Sequence, residues 1–225
     1  MAMITAHSGC DHTEDNSLEF IRYALNSGTD CLEVDVRRDA RGELTLSHDE
    51  ARGKNVSLRE AFALLWKRPD KKINCDLKLK GLEAPVYRLA QEMKVERQLI
   101  YSGEVNPALL SEEKERTFPR AEVYFNIENL YPRVYEEPDG WYRRERLRTA
   151  LEMAVRCGVE CVNMEYHLMT DDTLEMLEEL KLKGSAWTVN ETDEIERLLK
   201  SAQVANVTTR NLKGALQVKE EMERV

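Results

Sequence analysis

The chain has 225 residues, 42% of them hydrophobic, and a formal net charge of −9 at pH 7. That length suits one domain of the α/β barrel size class spanning residues 1–225, and the acidic balance argues against a nucleic-acid partner, which needs a basic footprint. No apolar run approaches the roughly 18 residues that suggest a membrane helix, and the N-terminus has neither the basic nor the long apolar segment of a secretory signal, so a cytoplasmic protein is expected.

In chain order, short apolar runs alternate with helical patterns. "MITAH" (3–7) ends in His7, and a loop of small and polar residues leads into a helix whose apolar face is Leu18, Ile21, Tyr23, Ala24 and Leu25. "CLEVDV" (31–36), "KINCDLK" (72–78), "QLIYSG" (98–103), "EVYFNIE" (122–128), "CVNMEY" (161–166), "SAWTVN" (185–190) and "ANVTT" (205–209) read as further strands. Between them "LREAFALLW", "APVYRLAQEM", "RLRTALEMAV", "TLEMLEELKL" and "EIERLLKSA" carry helical periodicity, and "LKGALQVKEEM" closes the chain. Eight strands alternating with helices predict a parallel sheet closed into an α/β (β/α)8 TIM barrel. "ELTLSH" (43–48) follows the second strand after only a short turn. Parallel neighbours need a crossover of a dozen or more residues, so this run is expected as an antiparallel hairpin arm. With Arg41-Gly42 as a two-residue loop, Asp35 lies opposite His48 on one face. Cys10, Cys31, Cys75, Cys157 and Cys161 have no scaffold-like spacing and are expected as buried thiols in a reducing compartment.

The polar residues of the strands carry the chemistry. In "CLEVDV", Glu33 and Asp35 alternate with Leu32, Val34 and Val36, so both acids share one face, the barrel interior near the C-terminal rim. Asp76 and Lys78 follow by the same alternation. Three carboxylates from adjacent strands form an oxygen-rich site suited to Mg2+ or Ca2+, with Mn2+ a further candidate. The structural alternative is salt bridging of Glu33 and Asp35 to Arg37 or Lys78, and a plain Asp76–Lys78 pair. His7 ends the first strand and His48 the hairpin. Cleavage of a phosphodiester needs a base, an acid and cations on the phosphoryl oxygens, and two histidines with one metal supply them. His12 and His167 read as surface or rim residues. The long "NLYPRVYEEPDGWYRRERLR" segment reads as a loop entering a helix, with a lid over the site as the alternative.

These residues resemble the glycerophosphodiester phosphodiesterase family, a branch of the phosphatidylinositol-phospholipase-C-like barrels. That family has a first strand ending His-Arg-Gly, then Pro-Glu-Asn-Thr; "HSG" (7–9) and "EDNSLEF" (14–20) stand in those places. Its Glu-x-Asp strand, turn and His-Asp correspond to "LEVDVRRDARGELTLSHD", its Glu-x-Lys to Asp76-Leu77-Lys78, and its Trp-Thr-Val-Asn to "WTVN" (187–190). The resemblance implies hydrolysis of a small-molecule glycerophosphodiester to glycerol 3-phosphate and an alcohol. It assigns metal ligation to Glu33, Asp35 and Asp76, acid/base work to His7 and His48, phosphate contact to Lys78 and the wall of the glycerol pocket to Trp187. The departures are Ser8 in place of the motif arginine, Asp15 and Asp76 in place of glutamates, a short His48-to-Asp76 interval, and "NVTTRNL" where the family's last strand ends Thr-Asp. Arg37, two residues beyond Asp35, is the expected substitute for the lost cation, with Lys78 second. The alternatives are another lipid- or sugar-derived phosphodiester as substrate, and a catalytically silent barrel acting as a binding module.

Overall fold

A computed structural model describes residues 1–51, 53, 55–107 and 122–224. Its strands are β1 (Met3–Ala6), β2 (Cys31–Arg38), β3 (Leu44–Leu46), β4 (Lys72–Leu77), β5 (Leu99–Gly103), β6 (Glu122–Asn126), β7 (Cys161–Glu165), β8 (Lys183–Trp187) and β9 (Val204–Thr209). The helices are α1 (Leu18–Asn26), α2 (Leu58–Leu65), α3 (Glu83–Met93), α4 (Trp141–Arg156), α5 (Asp171–Glu179), α6 (Thr192–Lys200) and α7 (Leu212–Glu223). The sheet runs β1-β9-β8-β7-β6-β5-β4-β2, and a further β1–β2 pairing closes it into an eight-stranded parallel barrel. β3 lies outside, antiparallel to β2.

Local chemistry sets the helix starts. Ser17 accepts from the Phe20 backbone N–H at the start of α1, and Ser57 with Glu60 forms a reciprocal capping box on α2. α6 buries Ile195, Leu198 and Leu199, a spacing that faces one side of a helix toward the sheet. On the strands, Ile4, Leu32, Val34, Val36, Ile73 and Leu77 are fully or almost fully buried in the main core. The alternate positions point inward. Cys31, Ile100, Tyr124 and Cys161 form a separate apolar plug at the strand starts. Above it Thr5 donates to Asn206, which donates to Ser185 and Thr208. The interior thus turns polar toward the strand C-termini. Four of the five free thiols are buried.

Two expectations need correction. The hairpin loop has three residues between Asp39 and Glu43, not two, because the Asp39 carboxylate accepts from the backbone N–H groups of both Arg41 and Glu43. Val36 therefore pairs with Leu46, and the Ser47 N–H donates to Asp35 O. His48 is one residue out of the expected register and lies beyond the end of β3. The eighth barrel strand, β9, agrees with expectation, but β8 begins and ends earlier than "SAWTVN", and Thr188–Asn190 lie past its end. No helix among the described residues is long and apolar enough to cross a membrane.

Candidate active site

A cavity of about 500 Å3 opens at the C-terminal ends of the strands. Its lining includes His7, Glu33, Asp35, His48, Asp76, Lys78 and Trp187. Seven of the eight expected site residues thus meet in one place. The eighth, Arg37, does not line it; its Nε donates to the His48 carbonyl at 2.9 Å.

The carboxylates converge because β2 and β4 run in register, with Asp35 beside Asp76 and Glu33 beside Asn74. Glu33, Asp35 and Asp76 can each place one oxygen within 4.8 Å of the others. Each is aimed by a donor. The Ser8 N–H donates to Glu33 (3.2 Å), Asn16 Nδ2 to Asp35 (2.7 Å), and Ser102 Oγ to Asp76 (2.9 Å). Asn16 also receives the Asp35 N–H, so one amide clamps backbone and side chain together. Gly103, at φ +77°, sits where a Cβ would collide with Leu77 O and the Asp76 carboxylate, so β5 ends in glycine to leave that acid room. Gly9, at φ +76°, has the same relation to Asp15.

Lys78 bridges two of the acids, 2.9 Å from Asp35 and in close contact with Asp76. Burial works against its charge, but the two carboxylates outweigh burial and raise its pKa. Burial would raise Asp35; Lys78 and Asn16 overcome it and hold the carboxyl below its ordinary range. At Glu33 the balance goes the other way. Its burial, with the charges of Asp35 and Asp76, outweighs Lys78 and the Ser8 N–H and pushes its pKa well above the usual value. One ammonium thus faces three crowded carboxylates. A set of hard oxygen donors with surplus negative charge fits a divalent cation.

The His7 ring is held at Nδ1, which faces an acceptor, the Ser8 carbonyl at 2.8 Å, and a donor, Arg210 Nε at 3.2 Å. Burial lowers its pKa, and the nearby Arg210 guanidinium lowers it further. His48 is different, with a side chain 70% exposed and Nδ1 3.2 Å from the exposed Asp49.

Arg210 was not singled out in the sequence. β1 and β9 are paired, and the His7 N–H donates to Thr209 O, so residue 210 leaves the last strand beside His7. Arg210 Nε donates to His7 Nδ1 at 3.2 Å, and its terminal nitrogen is 3.2 Å from Asp15. Asn190, the last residue of "WTVN", accepts the Arg210 N–H. Ser8, by contrast, is buried, with its hydroxyl accepting the Asn16 N–H. It holds the loop and does not face the cavity.

The opposite wall holds Ser102, Asn126, Glu128 and Asn163, with Trp187 beside them. Glu128 was missed, although the period of two through Tyr124, Asn126 and Glu128 carries the signal. The chain tightens into a 3-10 turn at Ile127–Asn129 without turning Glu128 out of the cavity. The Tyr135 hydroxyl donates to Glu128 at 3.0 Å, and its ring meets Trp187 edge-on at 5.9 Å. The long segment after β6 is therefore packed into the wall: Tyr131 and Val134 are buried, and Arg146 pairs with Glu137.

No protein-family model matches the sequence, and no curated protein does. Solved structures share the fold. A glycerophosphodiester phosphodiesterase from Parabacteroides distasonis superposes with a TM-score of 0.73 at 16% identity, over 98% of each chain. An Oleispira antarctica phosphodiesterase, solved in complex with the product sn-glycerol-3-phosphate, has a TM-score of 0.72 at 14% identity, covering 98% of this chain and 97% of that one. A Thermotoga maritima glycerophosphodiester phosphodiesterase has a TM-score of 0.66 at 17% identity, over 98% of both. The chain has the (β/α)8 barrel of these phosphodiesterases.

Proposed function

We propose that this chain is a metal-dependent phosphodiesterase that hydrolyses glycerophosphodiesters to glycerol 3-phosphate and an alcohol. The observation that carries the reading is the meeting, in one barrel-mouth cavity, of Glu33, Asp35 and Asp76 with His7, His48, Lys78 and Arg210. Glu33, Asp35 and Asp76 would hold one divalent cation, Mg2+ or Ca2+, which when bound supplies positive charge to the phosphoryl oxygens. The protein's own groups divide the remaining work. Lys78 and Arg210 flank the place for the phosphate and attract its negative charge. His7, its pKa lowered by burial, takes the proton from the attacking oxygen as that oxygen bonds to phosphorus. His48, at the mouth, gives a proton to the departing alkoxide as its P–O bond breaks. Trp187 forms the side wall against which an alcohol substituent rests. Turnover of glycerophosphocholine with and without Mg2+, Mn2+ or Ca2+, followed by release of glycerol 3-phosphate, tests the reading; silence on a panel of diesters with every metal would refute it.

A further inference from the structure

The described barrel mouth has one carboxyl group for which the reaction has no task; burial raises its pKa, and hydrogen bonds from Asn126 and Tyr135 work against that rise. In the strand order around the barrel, β6 lies across from β1, so Glu128 faces the cavity from the side opposite His7. Its carboxylate is held from both sides. Asn126 Nδ2 donates to Oε1 at 2.7 Å and the Tyr135 hydroxyl to Oε2 at 3.0 Å. Each donor is itself fixed: Asn126 Oδ1 accepts from the Gly103 N–H and from Asn163, and the Tyr135 oxygen from the Glu165 N–H. Glu128 has no ion-pair partner among the described residues. A carboxylate offers about four acceptor sites, and two neutral donors leave acceptor capacity and the whole charge uncompensated.

The described lining has the same imbalance. Among the described lining residues the carboxylates Glu33, Asp35, Asp76 and Glu128 face the cations Lys78 and Arg210, and Arg210 already meets Asp15. A divalent ion on the triad would offset part of this negative charge, and a monoanionic diester would add to what remains. The Trp187 ring beside Glu128 is a surface that also attracts cations.

We infer that Glu128 and Trp187 receive a cationic substituent of the phosphodiester, so that the chain prefers diesters of amino alcohols to diesters of neutral polyols. The inference rests on the phosphodiesterase reading and specifies its substrate class. The geometry gives the preference its direction: phosphate against Arg210, Lys78 and the triad, ammonium across the mouth against the β6–β8 wall.

The test compares kcat/KM for glycerophosphocholine and for neutral glycerophosphoglycerol in wild type, Glu128→Gln and Tyr135→Phe. A cation contact worth a factor of ten, about 1.4 kcal/mol, predicts that wild type favours the choline diester about tenfold. Glu128→Gln should lose that preference, its kcat/KM falling about tenfold more for the choline diester than for the neutral one. Tyr135→Phe, which keeps the charge, should retain the preference. Binding of phosphocholine against ethyl phosphate, read by calorimetry, gives the same comparison without turnover. Selective binding of phosphocholine that disappears in Glu128→Gln would support the inference even if the hydrolysis reading failed. Equal loss for the cationic and neutral ligands in Glu128→Gln, or no preference in wild type, would overturn it and make Glu128 a hydroxyl acceptor.

Discussion

The half of the barrel mouth built by β9, β1, β2 and β4 and the half built by β5 to β8 solve different problems. The first packs Arg210, His7, Glu33, Asp35, Asp76 and Lys78 together, and nearly every one touches another ionisable group. Among its described lining residues the second is mostly amides, with Asn126 and Asn163 linked to each other and one carboxylate, Glu128, on neutral donors. Crowded charges perturb each other, which is what acid–base and phosphoryl chemistry use. An amide network fixes shape and leaves one charge available for selection. The first half is therefore expected to govern rate and the second to govern which diester is taken.

The largest effect should come from the histidines of the crowded half. His7→Ala and His48→Ala should each lose about 10²-fold or more in kcat, the scale of general acid–base catalysis. The double variant should lose less than the product of the two, since groups acting as a unit are non-additive. The unequal settings sharpen this. His7 is pinned and has a pKa lowered by burial, so the acidic limb of the rate profile should lie below its ordinary value of about 6.5. An acidic limb above that value would contradict the assignment of His7 as base.

Arginine position gives the next effect. Arg210→Ala should raise KM or lower kcat/KM by about tenfold or more, as expected for a hydrogen bond to a charged group at 1.5–3 kcal/mol. Arg37→Ala, whose side chain serves the His48 loop, should do less. If Arg37→Ala proved the more damaging in steady-state kinetics, the phosphate would sit nearer β2 than the cavity lining implies.

Stability should respond in the opposite sense to activity at Glu33. A carboxyl whose folded pKa is raised contributes stability that is full below its unfolded value, near 4.3, and is lost as pH rises through the folded value. Metal-free protein should therefore melt higher in mild acid than at neutral pH as far as Glu33 contributes. In chelator at neutral pH, Glu33→Gln should raise Tm by roughly 2–4 °C, the equivalent of about 1 kcal/mol in a chain of this size. Added divalent cation should then stabilise wild type but not the variant. A variant that melts lower than wild type in chelator would mean that Glu33 is a structural acceptor for the Ser8 N–H and little else.

Ser8→Arg is the substitution that the motif comparison suggests and the structure warns against. Ser8 is 1% exposed and its hydroxyl holds Asn16, which in turn holds Asp35. Arginine there should lower Tm and weaken metal affinity, not restore phosphate binding; a gain in kcat/KM at unchanged Tm would show that the loop can turn the side chain into the cavity.

How much of this was legible in the sequence depended on the distance over which a pattern acts. The period of two through Glu33 and Asp35, and through Asp76 and Lys78, is local, and both pairs face inward as read. The β2–β3 turn was local too, yet its register came out one residue off, because the Asp39 side chain widened the loop. Arg210 was invisible for another reason. Its closeness to His7 exists only once the barrel closes and the last strand pairs with the first. Asn16 and Ser102 likewise matter through what they hold, and nothing in a linear pattern marks a serine on β5 as the donor to an aspartate on β4. Glu128 was within the predicted fifth strand and on the inner face, but its neighbours Asn126 and Tyr135 give it meaning only in three dimensions.

The central claim is that the three converging carboxylates hold a divalent cation that serves hydrolysis of a glycerophosphodiester. The direct measurement is release of glycerol 3-phosphate from glycerophosphocholine by chelator-treated protein, before and after Mg2+ or Ca2+ is restored, with Asp35→Asn alongside. Turnover should be absent in the treated protein, return with the metal, and stay absent in the variant. Full turnover in protein verified to be metal-free, or in Asp35→Asn with its metal affinity intact, would contradict the account.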